Sequence, residues 1–259
     1  MILRSKELEI DLDGGEIRAE SLFVSGYKIN THKTKNEGLF GVSVYGADAE
    51  QRRVKIEGYI CEQIEENRHK LAQICTQSEP FYLIDGEYML EVVAEKSPEY
   101  ASEKRFSGKV LKYTLALEST SPLWLASERH SVYAPTCGNL STDESAIYLT
   151  NESDTEIGFE AEITMRISGE RVLIRRGYEY IDVRGVSLSA GDKLYISTLH
   201  GKKEVSVTRK STAEVENLIS FVDTGSTFFT LARGENRIDY NIESAVCSIT
   251  LYYLPTRMR

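Results

Sequence analysis

The chain has 259 residues, a formal net charge of −9 and 41% hydrophobic residues, enough for two domains or for one large β domain. Lysine and arginine are scattered among more numerous aspartate and glutamate, which excludes the clustered basic surface that nucleic acid binding requires. The first residues are charged and no apolar run approaches the roughly 18–20 residues of a membrane span, so we expect neither a signal peptide nor a membrane partner.

The first part of the chain is predicted to contain strands separated by polar loops. Apolar residues in 23–29 and 40–45 predict two strands, and the segment 30–38 between them is a polar excursion. A further strand is predicted over 53–60, where charged and apolar residues alternate.

One amphipathic helix is predicted over about residues 62–75. Glutamates fill its first turns and basic residues follow, an order that suits the helix dipole. Because one face is apolar, we expect the helix to lie on a sheet. The residues assigned to that face are Cys61, Ile64, Arg68, Leu71, Ala72 and Cys75.

Period-two alternation of apolar residues predicts half-buried strands over 106–118, 158–167 and 247–253. The pair Asp85-Gly86 predicts a two-residue hairpin. Glycines at Ser168-Gly169 and His200-Gly201 predict further short antiparallel links.

A domain boundary is predicted within 120–145, where the chain is rich in turn residues and after which no long amphipathic helix follows. The predicted fold is mainly β. A β-rich α+β first domain with one helix spans residues 1–130, and an all-β antiparallel sandwich spans 131–259.

The sequence predicts no catalytic, cofactor or metal site. The four histidines lack metal-ligand spacing, and the acidic clusters lack the glycine turn and closing glutamate of a calcium loop. The cysteines lack zinc-site spacing and are predicted to be reduced thiols, with Cys137 and Cys247 placed singly. The histidines are His32, His69, His130 and His200.

Asp223-Thr224-Gly225-Ser226 matches the catalytic motif of aspartic proteases. That chemistry needs two carboxylates that share a proton, and this chain carries the motif once. We therefore favour a polar turn between strands over a protease site.

A second alternative is a carbohydrate-binding β-sandwich module that recognises a host cell-surface glycan. Tyr178, Tyr180 and Tyr195 offer aromatic rings in the second domain, whereas Trp124 is expected in a core. Tyrosines at strand spacing more often pack against neighbouring strands, so sugar binding stays an alternative.

Several motifs occur in one order over nearly the whole chain, and together they resemble the distal tail proteins of long-tailed bacteriophages. A charged strand that ends near Gly58 precedes the helix, the hairpin follows, and a second-domain turn leads into a last strand. The motif residues are Gly58, Arg68, Leu71, Pro122, Trp124, Gly234 and Asn236.

The resemblance implies a galectin-like sandwich for the second domain and a structural, non-enzymatic role without a cofactor. It implies a hexameric ring that connects the tail tube to the tail-tip hub and host-adsorption apparatus. The expected partners are further copies of the chain, the tail tube protein, the tail-associated hub protein and a receptor-binding protein. The expected place is the virion tail tip, after synthesis in the cytoplasm of a bacterial host; a prophage remnant or a contractile injection machine stays open.

The resemblance also suggests roles for individual residues. Gly58 would permit close backbone approach, Trp124 would fill a core, and Gly234 with Asn236 would make a turn. A ring subunit needs two complementary surfaces, so the polar excursion is a candidate arm that grips a neighbouring subunit. The arm residues are Thr31, His32, Lys33, Thr34, Lys35, Asn36 and Glu37.

Overall fold

The computed structural model describes residues 1–34, 43–102, 110–137, 145–242 and 247–259. Within these residues the chain is mainly β and has one α-helix, which confirms the predicted fold class. The chain forms two compact units, Met1–Ser127 with Met258–Arg259, and Glu128–Arg257. None of the described helices is long and apolar enough to cross a membrane.

The first unit is built on one large antiparallel sheet in the order β2-β1-β7-β8-β10-β6-β3. Leu12 lies where the two ends of this sheet meet. Its N–H donates to the Met1 carbonyl (2.9 Å) and its carbonyl accepts the Ala19 N–H (2.6 Å), so the sheet curls round on itself. The strands of this unit are β1 Ile2–Arg4, β2 Glu9–Asp11, β3 Ile17–Val24, β4 Ile29–Thr34, β5 Ser43–Ala49, β6 Arg53–Ile60, β7 Phe81–Asp85, β8 Tyr88–Ala94, β9 Glu99–Ser102, β10 Leu111–Ser119 and β11 Trp124–Ala126.

The helix α1, Ile64–Cys75, begins two residues later than predicted. Leu71 and Ile74 enter the apolar core of the first unit. The predicted face was wrong at two positions, because Cys61 and Arg68 are exposed and Asn67 is buried instead. The predicted acidic residues, Glu65 and Glu66, are in the first turn, but the last turn holds no basic residue.

The candidate arm is partly a regular hairpin. Thr31 to Thr34 lie in β4, which pairs with β5 in a separate two-stranded sheet. At the base of this hairpin the Glu50 carboxylate accepts the Asn30 amide (2.6 Å) and contacts the Lys28 ammonium (3.3 Å). Lys35, Asn36 and Glu37 lie outside the described residues.

The second unit is a sandwich of two antiparallel sheets that share one apolar core. The six-stranded sheet has the order β12-β21-β14-β17-β18-β19, and the four-stranded sheet has the order β13-β20-β15-β16. The strands are β12 His130–Cys137, β13 Ser145–Asn151, β14 Glu160–Met165, β15 Gly169–Arg176, β16 Glu179–Leu188, β17 Lys193–Leu199, β18 Lys202–Thr208, β19 Val215–Asn217, β20 Gly234–Ile242, β21 Cys247–Tyr253 and β22 Thr256–Arg257.

Two of the three predicted short links are hairpins. The turn between β7 and β8 is Gly86-Glu87, one residue later than predicted, because Asp85 ends β7 and pairs with Tyr88. His200-Gly201 joins β17 to β18 as predicted. Ser168-Gly169 is different, because it leads from β14 in one sheet to β15 in the other.

Alternation predicted most inward positions correctly. On β14 the alternate residues are buried up to Met165, but Ile167 beyond the strand is exposed. On β21 all four predicted inward residues are buried. Cys137 and Cys247, which stand apart from other cysteines in the sequence, occupy opposite positions on β12 and β21.

Candidate interaction surfaces and supporting motifs

Gly58 lies where β6 is crowded from both sides. It is opposite Ala19 on β3 and Tyr113 on β10. A Cβ at this position would lie 2.2 Å from the Arg18 carbonyl oxygen and 2.8 Å from the Ala19 Cα. Real Cβ atoms do not approach so closely, so a larger residue forces the backbone apart.

A buried arginine that the sequence analysis missed is hydrogen-bonded to the Pro122-x-Trp124 motif. Arg52 is 2% exposed, and its Nε donates to the Pro122 carbonyl at 2.6 Å. Its main-chain N–H donates to the Ser119 hydroxyl at 2.8 Å, and its guanidinium lies 5.0 Å from the Tyr27 ring. Trp124 is buried in the core of the first unit. The burial of Arg52 could not be predicted from the alternating pattern of β6, because Arg52 lies just before the first residue of that strand.

Asn236 stabilises the turn that precedes β20. Its Oδ1 accepts the Ala232 N–H at 2.9 Å, and its Nδ2 donates to the carbonyls of Ala232 (2.7 Å) and Gly234 (2.9 Å). Gly234 has φ +86°, a left-handed conformation that favours glycine. The turn is also bound by Asn151, whose amide donates to the Leu231 carbonyl at 3.1 Å.

The Asp223 motif forms a loop on β16. The Asp223 carboxylate accepts the Tyr180 hydroxyl at 3.1 Å and pairs with Arg184, which also contacts Asp182 at 3.5 Å. The Ser226 hydroxyl accepts the Asp182 N–H at 3.0 Å. The carboxylates of Asp182 and Asp223 therefore share an arginine and not a proton. Such an ion pair stabilises the loop and does not form the catalytic pair of a protease.

Among the described residues, no group of three or more histidine, cysteine, aspartate or glutamate side chains is placed so that it could hold a metal ion. His32 and His69 are exposed on β4 and α1. His130 packs its ring edge-on against Tyr253, with ring centres 5.4 Å apart.

Exposed apolar side chains lie on both units. In the first unit Phe23 and Ile29, at the foot of the arm, are 62% and 57% exposed. In the second unit Val215, Ile219 and Phe221 are exposed along and just after β19, the edge of the six-stranded sheet. Where such side chains adjoin one another, they form the apolar patches that are typical of protein contacts.

The chain matches a class of proteins that are structural components of phage tails. Residues 151–256, which contain Asn236, match the model of the siphovirus-type tail component, C-terminal domain.

Solved structures extend the likeness to both units. The Dit protein (gp 19.1) of phage SPP1, described as a paradigm of the hub adsorption apparatus in phages that infect Gram-positive bacteria, is similar with a TM-score of 0.67 and 10% identity over 92% of each chain. The phage P2 baseplate activated with Ca is similar with a TM-score of 0.54 and 9% identity, over 94% of this chain and 93% of that one. The same baseplate with Sr gives 0.53 and 8% over 96% of each chain.

At these identities the structural likeness concerns the fold. No curated protein sequence matches the chain. The family match and the shared fold together confirm the resemblance to phage distal tail proteins.

Proposed function

We propose that this chain is a non-enzymatic structural protein that forms a hexameric ring at the tip of a phage tail. The ring would connect the tail tube to the tail-tip hub and the host-adsorption apparatus. The observation that carries this proposal is the tail-component match over 151–256, joined to a shared fold over 92% of the chain.

The surface of the first unit supports self-association. A closed ring needs a heterologous contact, in which one surface of a subunit fits a different surface of the next. The hairpin of β4 and β5 forms a sheet of its own, and Phe23 and Ile29 expose apolar area at its foot. A hairpin that forms its own sheet, with exposed apolar residues near its first strand, is suited to grip a neighbouring copy.

The proposed partners are the tail tube protein on one side of the ring and the tail-associated hub protein on the other, with a receptor-binding protein further out. Assembly on the virion would follow synthesis in the cytoplasm of the bacterial host. The net charge of −9 disfavours direct contact with the packaged DNA.

The test is the mass of the purified full chain in solution, measured by light scattering and native mass spectrometry over a range of concentration and salt. We expect a species of six times the 29.2 kDa chain mass. Electron micrographs of that species should show closed rings with a central opening.

A single-chain mass at every concentration and salt would overturn the ring. Turnover of any substrate by the purified chain would overturn the non-enzymatic assignment. A casein assay at acid pH with an Asp223→Asn comparison covers the protease alternative.

A further inference from the structure

The outer face of the six-stranded sheet carries three tyrosines on three different strands. Tyr133 lies on β12, Tyr252 on β21 and Tyr195 on β17, and each alternates with residues that enter the core. Glu160 and Glu162 on β14 lie between them on the same face.

The strand register places these side chains in adjacent rows. One row runs Tyr133, Thr250, Glu162 and Tyr195, and the next row places Tyr252 beside Glu160. With neighbouring strands about 4.8 Å apart, the outer rings of the first row are roughly 14 Å from each other. That length suits an extended chain of a few sugar rings.

Hydrogen bonds and stacking hold two of the rings in place. The Glu160 carboxylate accepts the Tyr195 hydroxyl and pairs with Arg129. The Arg129 guanidinium lies 4.0 Å from the centre of the Tyr252 ring, and the Tyr252 hydroxyl donates to Glu162 at 3.4 Å. Burial and the bond to Glu160 raise the pKa of Tyr195 to about 12, so its hydroxyl stays a donor at neutral pH.

The composition of this face favours a polyol over a protein as its ligand. The outward positions of β12, β14 and β21 in the described part of the chain hold tyrosine, serine, threonine and glutamate, without leucine, isoleucine, valine or methionine. Protein interfaces have apolar centres that are depleted of charge. Fixed carboxylates and hydroxyls beside aromatic rings instead fit sugar hydroxyls and the apolar face of a sugar ring.

We propose that this tyrosine–glutamate face binds an uncharged polysaccharide made of pyranose units. The Glu162 carboxylate would accept hydrogen bonds from sugar hydroxyls. Glu160 is already paired with Arg129 and lies 3.8 Å from the Lys202 ammonium, so these two cations balance the two glutamates and the face offers no net charge to attract an anionic polymer. Of the three tyrosines that the sequence suggested, this site contains only Tyr195, because Tyr178 lies in the turn after β15 and the Tyr180 hydroxyl is bound to Asp223.

The experiment is affinity electrophoresis and titration calorimetry of the full chain with dextran, a soluble β-glucan and a galactan, and with poly(glycerol phosphate) as the anionic comparison. We expect retention by at least one neutral polymer and none by the phosphate polymer. Tyr133→Ala and Tyr252→Ala should each weaken binding about fivefold or more, since each removes one aromatic contact.

Tyr148→Ala is the matched control, because Tyr148 is an exposed tyrosine on the other sheet; its binding should equal that of the unchanged chain. Thermal unfolding and particle mass of all variants should be unchanged, which separates this site from ring formation. The proposal is overturned if the chain binds none of the neutral polymers, or if it is retained by the phosphate polymer alone. It is also overturned if all three variants bind equally well.

Discussion

A missing side chain at Gly58 lets three strands of the first unit pack closely. We predict that Gly58→Ala lowers the free energy of unfolding by about 1–3 kcal/mol, the usual cost of overpacking. The added methyl would meet main-chain atoms of Arg18 and Ala19, which cannot move without disturbing the pairing of β3 with β6. Urea unfolding followed by fluorescence measures the change.

Gly26→Ala is the control for this substitution, because a Cβ at Gly26 meets no atom within 4 Å. Its unfolding midpoint should stay within the error of the unchanged chain. Equal midpoints for the two variants would contradict the steric role of Gly58.

Single residues also mark where sequence reasoning succeeds and fails. The position of Gly58 was visible as a glycine within an alternating strand. Arg68 was placed on the apolar face of the helix because of its spacing, yet its guanidinium lies 5.0 Å from the Tyr100 ring at the surface. A long side chain with a charged end satisfies helical periodicity without being buried.

At the scale of elements, the start of α1 depends on a distant segment. Gln63 before the helix has φ +46° and makes no capping bond with its side chain. The Glu16 carbonyl accepts the Cys61 N–H at 2.7 Å, and its carboxylate accepts the Asn67 amide at 3.2 Å. The helix itself was predictable from its period, but its first residue was not, because Glu16 lies far away in the sequence.

Two loops beside the six-stranded sheet are joined by a buried carboxylate, Asp192. It is 2% exposed and accepts the Lys210 N–H (3.0 Å), the Ser189 N–H (3.0 Å) and the Arg209 guanidinium (2.9 Å). Burial alone acts to raise its pKa, but these three donors outweigh burial and lower the pKa below the ordinary 3.8. The ionised form is therefore the one that stabilises the fold.

This lowered pKa predicts the pH dependence of the Asp192→Asn variant. A carboxyl with a lowered folded pKa contributes stability above its unfolded pKa and loses it as the pH falls through the folded value. At pH 7 the variant should therefore be less stable than the unchanged chain, and the difference should shrink below about pH 4. Urea unfolding at several pH values measures both curves.

Glu170→Gln, on an exposed position of β15, controls for the loss of one negative charge. Its stability should follow the unchanged chain closely at neutral pH. A difference for Asp192→Asn that stays constant between pH 7 and pH 3 would contradict the role assigned to its charge.

At the scale of the whole molecule, the order of motifs predicted the mainly β class and the single helix. It did not predict that the first sheet closes at Leu12 or that Met258 and Arg259 belong to the first unit. Both features join residues far apart in the sequence, and no local pattern reports such contacts. The sequence indicated Tyr195 but not the rest of the tyrosine–glutamate face, for the same reason, since its residues come from four strands that the sheet brings together.

The arm connects the fold of one subunit to the proposed ring. We predict that deletion of residues 31–37 shifts the particle mass from a ring towards single chains while each subunit stays folded. The hairpin of β4 and β5 is a sheet of its own, separate in its backbone pairing from the large sheet of the first unit, and Thr31 to Thr34 on β4 are exposed. Removing it should therefore remove contacts between copies without creating a cavity.

Light scattering measures the mass of the shortened chain, and circular dichroism with thermal unfolding measures its fold. Glu87→Gln changes one exposed charge in the turn between β7 and β8, outside the arm, so its ring should form as in the unchanged chain. If the shortened chain assembles at the same concentration as the unchanged chain, the arm does not hold the ring. If it unfolds, the hairpin supports the first unit itself, contrary to the exposure of Thr31 to Thr34 on β4.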